Sequence, residues 1–304
     1  MQGSALGVAG LLSGPLFQAY GSTGLFGRPD MVVYTGLDYF EGTMAAVKKL
    51  GGMKKFVSKG QKVGLLVNSD FEIPGAYVNP DIVIAVVKMC LDEGASEVSC
   101  IQHIKQEYWE RSKYYKDFSD EIASLNNNKN NQFPAKFDER YWKKTSIAGS
   151  LALKEVEITN AFFDCDVFIN IPVAKHHALT NFTGALKNTM GIGTRETNVY
   201  YHLGSDKRND PVFFAECIAD INSLRPADLV ISDASLFITS GGPVGPGETR
   251  QPNKIVAGTD PVAMDALTCT YSGLLPEDIE MIKRCHQRGI GRMDYKNLKI
   301  KDVS

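Results

Sequence analysis

The chain has 304 residues, of which 43% are hydrophobic and 22% charged, with 33 Lys and Arg against 35 Asp and Glu and a formal net charge of −2. That composition suits a globular chain able to bury a sizeable core, and the near-even charge excludes a long-range pull toward nucleic acid or an acidic membrane surface. The lysines Lys48, Lys49, Lys54, Lys55, Lys59 and Lys62 read as a solvated face.

Residues 1–30 contain the apolar run ALGVAGLLSGPL, too short to span a bilayer. It looks like the tail of a signal-peptide apolar region without its basic leader. Two readings stay open: the remnant of a twin-arginine export signal, making the protein exported or periplasmic, or a plain N-terminal segment of a cytoplasmic protein. No other segment reads as transmembrane, so neither a membrane span nor a nucleic-acid partner is expected.

From residue 31 to 304 short apolar runs alternate with amphipathic stretches, the pattern of one α/β domain with a mostly parallel sheet flanked by helices. Val32–Tyr34 reads as a strand, followed by a helix near 40–50 that Gly51 and Gly52 close. Val63–Val67 is the next strand, running out at Asn68. From Pro80 the spacing turns helical, with Ile82, Val83, Val86, Val87, Cys90 and Leu91 on one face and Gly94 as C-cap. Val98–Ile101 returns as a strand, with His103 at its exit.

Residues 104–146 break the rhythm, holding Trp109, Trp142, further aromatics and charges, and the run Asn126–Asn131. They read as a surface insertion of two helical arms around a flexible tip. A lid over a pocket is the functional alternative.

A short helix at 160–164 and the strand Val167–Ile171 restore the pattern, and VAKHHALTNFTGALKNTMGIG follows. Lys175, His176 and His177 are expected in a loop, with Asn181 or Thr183 capping the next helix. Thr183 and Lys187, four apart, share a face. A lysine in the first turns opposes the helix dipole, and an anion at the N-terminus would offset that cost. Lys175 and Lys187 would neutralise the anion while a histidine moves a proton. The plainer reading packs one histidine under the loop and leaves Lys187 at the surface. A metal reading takes His177 and His202 as ligands with Asp233 nearby, without HxH or HExxH spacing to anchor it.

Beyond, residues 213–224 fit a helix, and Leu229–Ser232 a strand ending at Asp233. The loop TSGGPVGPGE (239–248) reads as an ordered turn; a phosphate cradle is the alternative, although it matches neither a P-loop nor GxGxxG. After a strand at Ile255–Ala257, Asp260 caps a helix with Pro261 in first position, and Asp265 reads as a surface position. A final helix runs from Pro276 to about Arg288, where Gly289 stops it and His286 compensates the dipole. Cys90, Cys100, Cys165, Cys217, Cys269 and Cys285 form no CxxC pair. They read as core thiols, and no iron–sulfur cluster is expected from them.

INIPVAKHHALTNFTGALKNTMGIG resembles the core motif of the domain-of-unknown-function family 362: a strand ending in Pro, Lys-x-His, then Thr-Gly-x-x-Lys-Asn-x-x-Gly. VGLLVNSD with NPDIVIAVVKMCLDEGASEV resembles the family's N-terminal part, and AGTDPVAMDALTCTYSGLL its C-terminal Asp-Pro-Val-Ala-x-Asp-Ala segment. The resemblance covers about residues 31 to 300. It implies functional positions at Asn68, Lys175, His177, Thr183, Lys187, Asn188, Gly191, Asp233, Asp260, Pro261 and Asp265. His176 stands where relatives often have a small polar residue, and His202 resembles a downstream histidine of the family. Some relatives carry a ferredoxin-type cluster domain, whose closely spaced cysteines this sequence lacks. A looser similarity to the nickel-dependent lactate racemase group implies lysines and histidines around a phosphate-bearing cofactor.

The expected protein is therefore an enzyme that binds a small anionic ligand, carboxylate or phosphate, where strands end. Lys175 and Lys187 would hold the charge and His177 would act as general acid/base. Asn68 and Asn188 would orient the ligand, with Thr183, Asp233 and Asp260 lining it. The cofactor is unassigned; a divalent metal on His177 and His202 is the one named. The alternative from another class is a non-catalytic metal-binding or redox-accessory protein of an exported assembly, with a redox protein as partner.

Overall fold

Val63–Val67 and Val167–Ile171 are apolar at nearly every position, so both faces of these strands must be covered. The computed structural model, which describes residues 29–125 and 137–304, covers them with helices. In chain order the strands are β1 (Met31–Thr35), β2 (Lys62–Val67), β3 (Glu97–Cys100), β4 (Trp142–Ser146), β5 (Glu155–Thr159), β6 (Val167–Ile171), β7 (Lys175–His177), β8 (Asn181–Thr183), β9 (Leu229–Ala234), β10 (Phe237–Ile238), β11 (Thr249–Arg250), β12 (Lys254–Gly258) and β13 (Ile300–Val303). The α-helices are α1 (Tyr39–Leu50), α2 (Pro80–Asp92), α3 (Gln106–Trp109), α4 (Ser119–Leu125), α5 (Asn160–Asp164), α6 (Ala185–Asn188), α7 (Arg195–Leu203), α8 (Pro211–Asn222), α9 (Pro261–Thr268) and α10 (Glu280–Gln287).

Seven strands form one sheet in the order β13-β1-β12-β9-β6-β2-β3. The sheet is mostly parallel: β13 with β1, β9 with β6, β6 with β2 and β2 with β3 run the same way. Strand β12 is antiparallel to both β1 and β9. The C-terminal ends of β2, β6 and β9 thus gather at one edge, where open α/β sheets hold ligands. Because Gly258 pairs with Val230 near the start of β9, Asp260 is carried to the opposite edge.

Local signals set the helix starts. Asn79 accepts from the Asp81 N–H ahead of α2, and Asp210 and Asp260 likewise cap α8 and α9, each with a proline in first position. Gly51 (φ 127°) and Gly94 (φ 80°) adopt the positive φ that ends α1 and α2. All six cysteines are buried free thiols, as expected for core positions.

Three expectations are corrected. Residues 104–125, expected as the first arm of a surface insertion, are anchored in the core: Tyr108 and Trp109 are fully buried, the Tyr108 hydroxyl donates to the Val78 carbonyl at 2.9 Å, and Phe40 stacks on Tyr114 at 4.3 Å. Its second arm is a strand, because β4 pairs with β5 from Trp142↔Thr159 to Ser146↔Glu155. The expected tip at 126–131 lies outside the described residues, as does nearly all of the 1–30 segment. The last helix is broken at Ile279, which turns extended (φ −96°, ψ 105°) and buries its side chain, so α10 starts only at Glu280. No helix among the described residues is long and apolar enough to cross a membrane.

Candidate functional site

The stretch after β6 is a hairpin rather than a loop. Strands β7 and β8 pair antiparallel with Lys175 opposite Thr183 and His177 opposite Asn181. Asn181 adopts φ 59°, a left-handed conformation that asparagine tolerates in turns, so it caps no helix. Residues two apart on a strand, and residues directly opposite in an antiparallel pair, share a face. One face therefore collects Lys175, His177 and Thr183, while His176 turns the other way, its Nδ1 accepting from the Gly242 N–H at 3.0 Å. The 239–248 loop is thus fastened to the hairpin's back.

Helix α6 is only four residues long, and its N-terminus already holds an anion. The Asp265 carboxylate accepts from the N–H groups of Ala185 (2.6 Å) and Leu186 (3.0 Å). The expected ligand position at that helix end is therefore filled from within the chain, and Asp265 is fully buried rather than at the surface. Desolvation raises its pKa to about 7 against the two amide bonds. Gly184 makes the contact feasible, since a Cβ there would sit 2.2 Å from Asp265 Oδ1. Gly184→Ala is expected to cost about 1–3 kcal/mol, read as a lowered Tm, because a buried carboxylate must give way.

Several expected ligand contacts belong to the scaffold. Asn188 donates to the Leu66 carbonyl (3.2 Å) and to Asn170 Oδ1 (2.8 Å), while Asn170 donates to the Ala185 carbonyl at 2.9 Å. This buried network fixes the turn that carries Lys187. Asp233 has both oxygens engaged, Oδ1 by the Ser235 N–H and hydroxyl and Oδ2 by the Asn79 N–H. Asp260 accepts from Val262, Ala263 and Arg292 at the far edge. These three residues build the fold around the site.

What remains open at the sheet edge is Lys175, His177, Thr183, Lys187, His202 and Asn68. Lys175 is fully buried; its Nζ donates to the Ala76 carbonyl, lies 3.5 Å from Asn68 Oδ1, and sits 3.8 Å from the Phe71 ring centre. Desolvation, reinforced by the Lys187 charge and opposed by Asp70, pulls its pKa down to about 6. His177 Nδ1 accepts from the Leu179 and Thr180 N–H groups at 3.2 and 3.3 Å, which places the ring proton on Nε2. Desolvation first, then the charges of Lys187 and Lys175, lowers the His177 pKa to about 2, so the ring is neutral.

Phe214 is the hub that the sequence did not reveal. His177 approaches its ring at 6.4 Å, His202 at 5.0 Å and Lys187 Nζ at 5.9 Å. Lys187 is partly exposed and has no hydrogen-bond or ion-pair partner among the described residues; desolvation brings its pKa down to about 8. Residues 213 and 214 read in the sequence only as the apolar face of a helix, which is why the ring's role went unseen. The shielded Nδ1 of His103 has no hydrogen-bond partner among the described residues.

His177 and His202 share the Phe214 ring, but no group of three His, Cys, Asp or Glu side chains among the described residues gathers to hold a metal. The expected help from Asp233 fails because both its oxygens are occupied. At neutral pH the site therefore presents one cation on Lys187, one neutral amine on Lys175 and one N–H donor on His177.

The sequence model described as "Domain of unknown function (DUF362)" matches residues 63–270, well over half of the chain. The thylakoid-associated protein sll1697 of Synechocystis sp. is 24% identical over 139 residues, 46% of this chain and 42% of that protein. A lactate racemase apoprotein from Thermoanaerobacterium thermosaccharolyticum aligns with a TM-score of 0.40 and 12% identity, over 74% of this chain and 55% of that one. A protein from Thermotoga maritima aligns at 0.41 and 16%, over 78% and 58%. The two structural likenesses concern α/β architecture only, and the chain spans less than two thirds of each of these three proteins.

Proposed function

The chain belongs to the DUF362 family, and from that premise and its lysine pair we propose that it is an enzyme acting on a small molecule that carries a carboxylate or phosphate. One observation carries the reading: Lys187, half-buried at the sheet edge with its Nζ 5.9 Å from the Phe214 ring centre, has no ion-pair partner among the described residues. Such a charge is unfavourable until an anion joins it. Lys187 would hold the anionic group, with the Thr183 hydroxyl and the His177 Nε2–H donating to other substrate oxygens. The neutral Lys175 amine would accept a proton, since a base whose pKa lies near the working pH transfers protons best.

Small molecules released on denaturation and identified by mass spectrometry test this. A carboxylate or phosphate compound is expected from the parent protein and not from Lys187→Met; equal content in both, or none in the parent, contradicts it. Affinity for that anion is also expected to fall as pH rises through about 8, where Lys187 gives up its proton.

A further inference from the structure

Lys175 is a long amine without an ion-pair partner among the described residues, fully buried among a carbonyl, an amide oxygen and an aromatic ring, with Asp70 acting on it only through space. Packing alone would be served by an uncharged side chain, because a buried amine without an ion pair costs stability. Directly opposite on the same hairpin face stands Thr183, whose hydroxyl is buried and has no hydrogen-bond partner among the described residues. Opposed residues of an antiparallel pair bring their Cβ atoms to about 4.5–5.5 Å. The buried amine and the unsatisfied hydroxyl thus rise from opposed positions on one hairpin face, within the electrostatic reach of Lys187.

We infer that Lys175 condenses with the carbonyl carbon of an oxo acid to form an imine, while Lys187 holds the acid's carboxylate and Thr183 hydrogen-bonds the carbonyl oxygen. The inference rests on the anion-binding reading above. Nζ adds to the carbonyl carbon, and the oxygen gains a proton to give a carbinolamine. Loss of that oxygen as water, with the two hydrogens that Nζ gave up, leaves the C=N bond. No oxidant or reductant is involved. An amine kept uncharged by desolvation is the form that attacks a carbonyl.

Access runs past Phe71. Its ring covers Lys175 Nζ, and the same residue lines a cleft of about 330 Å³ together with Ser69, Asp70, Glu72, Tyr108 and Arg111. Arg111 donates to the Phe71 carbonyl at 3.0 Å and stacks on Tyr77 at 4.2 Å, which ties down the Phe71 backbone without engaging its ring. Rotation of Phe71 would open the amine to the cleft.

The test is borohydride trapping of the full chain with glyoxylate and with pyruvate, the smallest oxo acids, followed by peptide mass spectrometry. The expected result is a reduced adduct on Lys175, absent in Lys175→Met and reduced at least several-fold in Thr183→Val, with the adduct suppressed when excess phosphate competes at Lys187. An adduct spread over surface lysines and unchanged in Lys175→Met overturns the inference. Absence of adduct while the parent still binds either acid overturns it and leaves the anion-binding reading standing; absence of both adduct and binding overturns the two together.

Discussion

Lys187→Met is expected to weaken binding of a small carboxylate or phosphate by about 10–100-fold at pH 7, measured by calorimetry. A hydrogen bond to a charged group contributes about 1.5–3 kcal/mol, and tenfold in affinity is about 1.4 kcal/mol. Methionine keeps an unbranched apolar chain of nearly the same length and removes the ammonium that lies over Phe214, so the loss reports on the charge. The Asn170–Asn188 network and the Asp265 cap hold the turn from the backbone side, and neither touches the ammonium. The variant is therefore expected to fold as the parent does, with an unchanged circular-dichroism spectrum and an equal or higher Tm.

Lys175→Met is expected to make the protein more stable at pH 7, by about 2 kcal/mol, while abolishing the borohydride-trapped adduct. Burial lowers this amine from 10.5 to about 6. Below its unfolded value the unfolded chain binds a proton that the native chain does not. At pH 7 that difference disfavours folding by about 4–5 kcal/mol, at about 1.4 kcal/mol for each tenfold in proton affinity. Against this stands the Ala76 carbonyl, left without its donor at a cost of about 1–3 kcal/mol. The sign in pH follows from the same linkage. Stability of the parent rises between about pH 6 and 10.5 as the unfolded state ceases to bind its extra proton, and the variant lacks that component. Its advantage should narrow by about 2–3 kcal/mol between pH 7 and 9 in denaturant melts. A variant less stable than the parent at pH 7 would mean that Lys175 serves the fold rather than the chemistry.

Much of the scaffold was written in local signals. Asn79 before Pro80 and Asp260 before Pro261 start helices because a side-chain acceptor and a pre-set φ act within a few residues. The continuous apolar runs of β2 and β6 announce buried strands for an equally local reason. The hairpin at 175–183 escaped because its strands are three residues long and its turn depends on one left-handed asparagine. The burial of Trp109 and the reversed direction of β12 depend on partners far away in sequence. So does the cap of α6: a carboxylate 80 positions downstream of Ala185 occupies the place that helix geometry offered to a ligand.

The candidate site divides the same way. Spacing alone put Lys175, His177, Thr183 and Lys187 together, and the hairpin register turned three of them to one face. Spacing could not separate Asn188 and Asp233, which serve the scaffold, from Lys187, which has no hydrogen-bond or ion-pair partner among the described residues, because that distinction lies in hydrogen bonds across the sheet. Nor could it find Phe214 or Phe71, since an aromatic ring on a helix or in a loop carries no local mark of what rests against it.

If Lys187 is a cation awaiting an anion, its own protonation will respond to that anion. The rate at which acetic anhydride labels Lys187 would be followed from pH 6 to 10 by peptide mass spectrometry, with and without glyoxylate. A midpoint near 8 is expected, moving upward when the acid is bound, because a bound anion favours the ammonium form. A midpoint at the ordinary lysine value of 10.5, unmoved by glyoxylate or phosphate, would contradict it.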